Sequence, residues 1–138
     1  YEGDAIVAFF GEPIPHEDHA VRAAAAALEM RQALSRLNNT WQAEGVYFAN
    51  FEMGIGINTG EVFVGLLGSK QRLNYTVIGD AVNLAARLQD KTKEYGYPIL
   101  ISGATRKKIQ DRFKTAFVEN AVLKGKSEPV SIYQLLAD

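Results

Sequence analysis

The hydrophobic pattern of this chain changes period several times, and that alternation limits the folds open to it. Ala5-Ile-Val-Ala-Phe-Phe10 is a short β-branched and aromatic run closed by Gly11-Glu12-Pro13, the pattern of a buried strand. A polar, proline-bearing connection follows at 14–18, with Glu17 and Asp18 placed at a helix start. From 19 to about 37 the chain is alanine-rich and helix-prone. Ala20, Ala24, Ala27, Leu28, the aliphatic stem of Arg31, Leu34 and Leu37 recur at helical spacing as a core-facing stripe, and Asn38-Asn39 is the expected stop. Residues 40–50 read as irregular. Residues 51–58 alternate as a strand, and Thr59-Gly60-Glu61 reads as a tight turn into Val62-Phe-Val64, an expected hairpin. The glycines at 65–68 would end that second strand, with a polar, basic loop at 69–74 and a brief extended segment at 75–78. A helix is expected at about 80–94, a strand at 98–102, a short helix at 103–110, a strand near 113–119 and a last strand at 130–136. Helices interleaved with strands that are partly joined by hairpins define an α+β fold.

Composition narrows the function classes. With 138 residues and no internal repeat or linker, the chain reads as one undivided domain. Lys plus Arg is 15 against 16 for Asp plus Glu, a net charge of −1, which removes the electrostatic argument for a nucleic-acid partner. Hydrophobic residues at 47% and charged residues at 22% describe a globular chain with a core of its own. Cys is 0, so disulfides, thiolate metal sites and cysteine nucleophiles are excluded. The longest apolar runs, such as 5–11, fall far short of the ~20 residues that cross a bilayer, so direct membrane insertion is not expected. A domain without a span or a cysteine is expected to face the cytoplasm. The chain opens at Tyr1 rather than Met, and its first residues already read as the middle of a strand, as expected for a piece of a longer protein.

The most informative stretch is Gly79-Asp80-Ala-Val-Asn83-Leu-Ala-Ala-Arg87-Leu. On a helix, Asn83 and Arg87 lie four apart and share a face, with Asp80 on nearly the same side; Ala81, Leu84, Ala85 and Leu88 take the core-facing arc. Such a polar stripe suits an anionic ligand that needs a guanidinium fork, and equally a solvated face with Asp80 as cap and a weak ion pair to Arg87. Glu2-Gly3-Asp4 precedes the first apolar strand, where a carboxylate suits Mg²⁺ or an ordinary turn. Lys70 and Arg72, and Lys124 and Lys126, sit in loops from which cations reach phosphates or water alike. His16 and His19 read as surface residues, and Trp41, Tyr47 and Phe48 as core or partner-facing apolar groups.

Taken together, four pieces resemble the catalytic domain of the class III nucleotidyl cyclases. They are Gly3-Asp4-Ala-Ile-Val-Ala-Phe-Phe-Gly11, Gly54-Ile-Gly-Ile-Asn-Thr-Gly60 with Gly65-Leu-Leu-Gly68, the run from Arg72-Leu-Asn-Tyr-Thr-Val-Ile to Arg87-Leu, and Leu123-Lys-Gly-Lys-Ser-Glu-Pro-Val130. The resemblance implies a ferredoxin-like, mixed antiparallel sheet with helices packed on one face. It also implies a head-to-tail homodimer whose active sites are built from both chains. It makes Asp4 one of two aspartates that hold a pair of Mg²⁺ or Mn²⁺ ions, and Thr76 the contact to the purine's exocyclic group. Asn83 would orient the ribose and Arg87 stabilise charge on the α-phosphate. Arg72 and a lysine of the Lys124 and Lys126 loop would reach the triphosphate.

The reaction implied is in-line attack of the ribose 3′-hydroxyl of ATP on the α-phosphorus, giving 3′,5′-cyclic AMP and pyrophosphate, assisted by the metal ions. Thr76 accompanies adenylate cyclases in the family, although a hydroxyl serves guanine too, which leaves a guanylate cyclase as the alternative. A cyclase-like module that regulates or dimerises without turnover is the other. The family's Phe-x-Asp-Ile-x-x-Phe piece, with the other metal aspartate, a first strand and its helices, would precede Tyr1, as would the specificity lysine. The chain alone is therefore expected to cycle nucleotide poorly, and upstream regulatory domains are expected in the parent protein.

Overall fold

The computed structural model describes residues 6–11, 17–45, 51–61, 63–69, 72–123 and 128–137, with 63–69 and 72–78 described by backbone and strand pairing alone. In chain order the elements are α1 (His19–Ala43), β1 (Ile55–Ile57), β2 (Phe63–Ser69), β3 (Arg72–Ile78), α2 (Asp80–Tyr95), β4 (Ile99–Ser102), α3 (Gly103–Ile109), β5 (Thr115–Ala121) and β6 (Val130–Leu135). Four strands form one sheet in the order β1-β4-β6-β5, and β2 and β3 form a separate two-stranded sheet. β1 runs parallel to β4, whereas β6 is antiparallel to both β4 and β5, so the main sheet is mixed.

A parallel pair cannot be closed by a hairpin and needs a crossover. Here α2 is the last part of that crossover, and it lies against both strands it connects. The alternation of β4 sets the two faces. Ile99 and Ile101 join Ala20, Ala24 and Ala27 of α1, Ile109 of α3 and Leu135 in one buried cluster. Leu100, one step along the strand, joins Leu84 and Leu88 of α2 with Leu123 and Ile132 in the other. The expected α+β mixed sheet is thus present, but its helices are divided: α1 and α3 cover one face and α2 the other.

Glycines set how closely α2 approaches. A Cβ on Gly56 would collide with the Ala85 carbonyl oxygen and lie 2.5 Å from the Gln89 nitrogen and 3.0 Å from Leu88 Cβ. A Cβ on Gly54 would collide with Thr92 Oγ1, and one on Gly60 would lie 3.0 Å from Ala81 Cβ. Ascending from 54 to 60, the contacts descend α2 from 92 to 81, so the helix runs antiparallel to β1 along a track lined by three glycines. This is the physical content of the Gly54-Ile-Gly-Ile-Asn-Thr-Gly60 spacing.

Five local expectations are corrected. The apolar run at 6–10 is not a strand: no strand among the described residues pairs with it, and Ile6 is 69% exposed. β-propensity alone does not satisfy a backbone that has no ladder partner. The expected hairpin through Thr59-Gly60-Glu61 does not form either. β1 pairs with β4, and β2 continues through Gly65 to Ser69 to make seven antiparallel pairs with β3, from Phe63 opposite Ile78 to Ser69 opposite Arg72. The segment expected as a basic loop is therefore largely strand, with Arg72 in it.

Helix α1 also runs past Asn38-Asn39 to Ala43. The Asn38 amide is engaged outside the helix, donating to the Phe51 carbonyl at 3.0 Å and accepting from the Phe51 N–H at 3.1 Å. Trp41 meets the Phe51 ring edge-on at 5.5 Å, so the last turns are held by tertiary contacts and need no stop at 38. The expected core stripe is buried only at its start. Arg31 is exposed and Leu37 is 47% exposed. A helix of 25 residues is roughly 37 Å long and outreaches the short strands beneath it.

The glycine track yields a direct test. Gly56→Ala should destabilise the fold by about 1–3 kcal/mol, because the added methyl meets backbone that cannot move aside without lifting α2. Urea unfolding of the variant beside the parent measures this; an unchanged midpoint would show that α2 is not seated on Gly56.

Candidate active site

β3 hands the chain to α2 through a single residue, Gly79, whose φ of 147° lies where L side chains are strained. Its carbonyl accepts from the Val82 N–H at 3.1 Å and the Asn83 N–H at 3.3 Å, which starts the helix without a side-chain cap. Asp80 puts a carboxylate in the first turn, favourable to the helix dipole, and Lys93 lies in the last. Gly96 closes the helix in the left-handed conformation, its N–H donating to the Thr92 carbonyl at 2.9 Å.

Leu84, Leu88 and Thr92 are buried against the sheet, which leaves Asn83 and Arg87 exposed on the outer side. Among the described residues the Arg87 guanidinium has one ionic neighbour, Asp90, at 3.8 Å, with the two side chains 44% and 64% exposed. At that length and exposure the pair holds the guanidinium loosely. The weak ion pair to Asp80 that belongs to the solvated-face alternative is replaced by this i,i+3 contact. The outer face of α2 thus presents a carboxamide and a guanidinium one turn apart, suited to a polar, anionic ligand.

The opposite side of α2 is tied down. Asn58, just beyond β1, donates from Nδ2 to the Ala81 carbonyl at 3.1 Å and accepts at Oδ1 from the Ser102 hydroxyl at 2.6 Å. Ser102 caps α3 by accepting from the Thr105 N–H at 3.3 Å. The Thr105 hydroxyl lies 2.8 Å from Thr59 Oγ1 and 3.5 Å from the Ile57 carbonyl. Ser102 and Thr105 are 2% and 0% exposed, so these bonds satisfy polar atoms shut off from water. Sequence reasoning singled out none of these four side chains for a functional role. The glycine spacing around Asn58 was the available signal.

The sequence-derived candidates fare unequally. Asn83 and Arg87 share the exposed face of α2 as expected. Arg72 and Thr76 lie on β3, opposite Ser69 and Gly65, on the strand that leads into α2; nothing further is described of their side chains. Asp4, Lys124 and Lys126 lie outside the described residues, as does Lys70. Among the described residues no three His, Asp or Glu side chains gather as a metal site. No described helix is long and apolar enough to cross a membrane.

The sheet is mixed, its crossover helix exposes an Asn and an Arg one turn apart, and residues 1–137 match the family of adenylate and guanylate cyclase catalytic domains. The chain belongs to that family. It is 35% identical over 136 residues to adenylate cyclase 1 of Rhizobium meliloti, covering 99% of this chain and 20% of that protein. It is 37% identical over 142 residues to the adenylate cyclase of Anabaena cylindrica, covering 99% of this chain and 27% of that one. The adenylyl cyclase CyaB from P. aeruginosa superposes with a TM-score of 0.82 at 35% identity, over 94% of this chain and 65% of that structure. The guanylyl cyclase Cya2 does so with a TM-score of 0.74 at 39% identity, over 91% and 62%. The chain therefore spans about a quarter of the length of these curated relatives, or less.

Gly79 is the joint between the strand that carries Thr76 and the helix that carries Asn83. Gly79→Ala should cost about 1–3 kcal/mol through its backbone conformation alone. Thermal unfolding followed by circular dichroism measures it, and a loss below about 0.5 kcal/mol would contradict the strained geometry.

Proposed function

We propose that this chain is the catalytic domain of an adenylate cyclase that converts ATP to 3′,5′-cyclic AMP and pyrophosphate. The observation that carries the reading is the exposed Asn83 and Arg87 pair on a helix pinned from behind, in a chain of the cyclase family. Adenylate cyclases among its relatives support ATP as the substrate. The chain is one domain of a longer protein whose other parts regulate it, and it works in the cytoplasm as a homodimer whose sites are shared between the chains.

The chain's own residues divide the work. Asn83 orients the ribose so that the 3′-hydroxyl lies in line with the α-phosphorus, a positional role that fails steeply with small displacements. Arg87 meets the charge that grows on the α-phosphoryl oxygens as the new bond forms and pyrophosphate departs. Thr76 accepts from the adenine amino group. Arg72, with Lys124 or Lys126, neutralises the triphosphate.

The donor set suits hard cations, since the chain has carboxylates and no Cys. Asp4 is the residue of this chain that would hold a pair of Mg²⁺ or Mn²⁺ ions together with the substrate's phosphates. When bound, such ions lower the pKa of the attacking hydroxyl and offset charge on the leaving group.

The guanylyl cyclase Cya2, at 39% identity, favours a second reading in which GTP is the substrate. Both are tested on the full-length protein with Mn²⁺ and either ATP or GTP, by quantifying the cyclic product. Cyclic AMP is the expected product; cyclic GMP in excess would reverse the base assignment, and the absence of both products would overturn the enzymatic reading. In the same assay Arg87→Ala should lower kcat by about 10²–10³ while changing nucleotide affinity only a few-fold. Equal losses in both would contradict its transition-state role.

A further inference from the structure

Packing on glycines fixes the distance between α2 and β1, but apolar contact is non-directional and resists sliding or rolling weakly. A hydrogen bond is directional, and one such bond joins these elements: Asn58 Nδ2 to the Ala81 carbonyl at 3.1 Å. Its other end is firmly based. Asn58 Oδ1 accepts from Ser102 at 2.6 Å, and Ser102 is buried at the junction of β4 and α3. If the amide flips or withdraws, the buried hydroxyl loses its 2.6 Å bond and keeps only the longer contact to Thr105 Oγ1 at 3.3 Å. Ala81 lies in the same turn as Asn83. At about 100° per residue the two positions are roughly 200° apart, so the helix is gripped on one side and offers Asn83 on the other. Any slide or roll at Ala81 is passed on to Asn83 and, a turn later, to Arg87.

We propose that Asn58 is a positioning residue for cyclisation: it touches no substrate, and it sets the register in which Asn83 and Arg87 meet the ribose and α-phosphate. The proposal rests on the cyclase reading above. Its prediction concerns kcat, because a misplacement of ~1 Å at reacting groups costs up to about 10² in rate while ground-state binding, spread over many contacts, changes little.

The test is Asn58→Asp in the full-length protein. The carboxylate keeps the acceptor for Ser102 but removes the donor and sets an oxygen against the Ala81 carbonyl. The expected result is a fall in kcat of about tenfold or more with KM within about threefold, and faster amide exchange in the first turn of α2 with exchange in β4 and β6 unchanged. In the Asn83→Ala background the same substitution should cost far less, because its effect runs through Asn83. Asn58→Ser, which removes the donor without adding charge, is the second variant should the carboxylate prevent folding. A wild-type protein that makes no cyclic nucleotide overturns the proposed function and the positioning role with it. An active wild type whose Asn58 variants keep kcat, or lose kcat by factors that multiply with Asn83→Ala, overturns the positioning role alone.

Discussion

The seat of α2 on β1 is the constraint on which the rest depends. β1 has three residues and one described partner, β4, to which it is parallel. So short a pairing is weak by itself, and the parallel arrangement demands that the chain return across the sheet. Helix α2 completes that return while covering the strands it joins, with Leu84 and Leu88 over Leu100 and Ile132. The glycines at 54, 56 and 60 let the helix backbone come close enough for those contacts. Side chains there would hold α2 off the sheet and open the second core cluster. The other face needs no such device, because the alanines of α1 supply a flat surface of their own over Ile99 and Ile101.

Close seating also divides α2 chemically. The inner arc makes apolar contacts and accepts the Asn58 bond, whereas the outer arc carries Asn83 and Arg87 without strong partners among the described residues. Strength and readiness are thereby kept on different sides of one helix. The pinned side is built from buried, mutually satisfied groups. On the open side the guanidinium has, among the described residues, one ionic contact, the long and exposed one to Asp90, which restrains it weakly.

What could be read from the sequence follows the range of the interactions involved. α2, β4, α3 and β6 fall within a residue or two of their expected bounds, since each is framed by local signals: Gly79 and Gly96 around α2, Ser102 as the cap of α3. The Asn83 and Arg87 pair was legible for the same reason, being four apart on one helix. The misreadings share the opposite cause. Thr59-Gly60-Glu61 has the composition of a turn, but β1 pairs with β4, 44 residues further on and beyond any local window, and β2 pairs instead with β3. The stop at Asn38 was overridden by Phe51, 13 residues away. The run at 6–10 has strand-like residues and no described neighbour to pair with.

Asn58 belongs with these non-local cases, although it lies in the middle of a recognisable motif. Its partners are 23 and 44 residues distant, so spacing could mark the segment but not the role of the amide. The glycines alone would explain a close-packed helix whose height above the sheet is fixed and whose register is not. An amide at that position supplies what glycine cannot, a donor and an acceptor in one rigid plane, bridging a helix carbonyl to a buried hydroxyl. Close approach and directional bonding are then two parts of one device. The glycines bring the helix within reach of the amide, and the amide selects one of the registers that the glycines leave open.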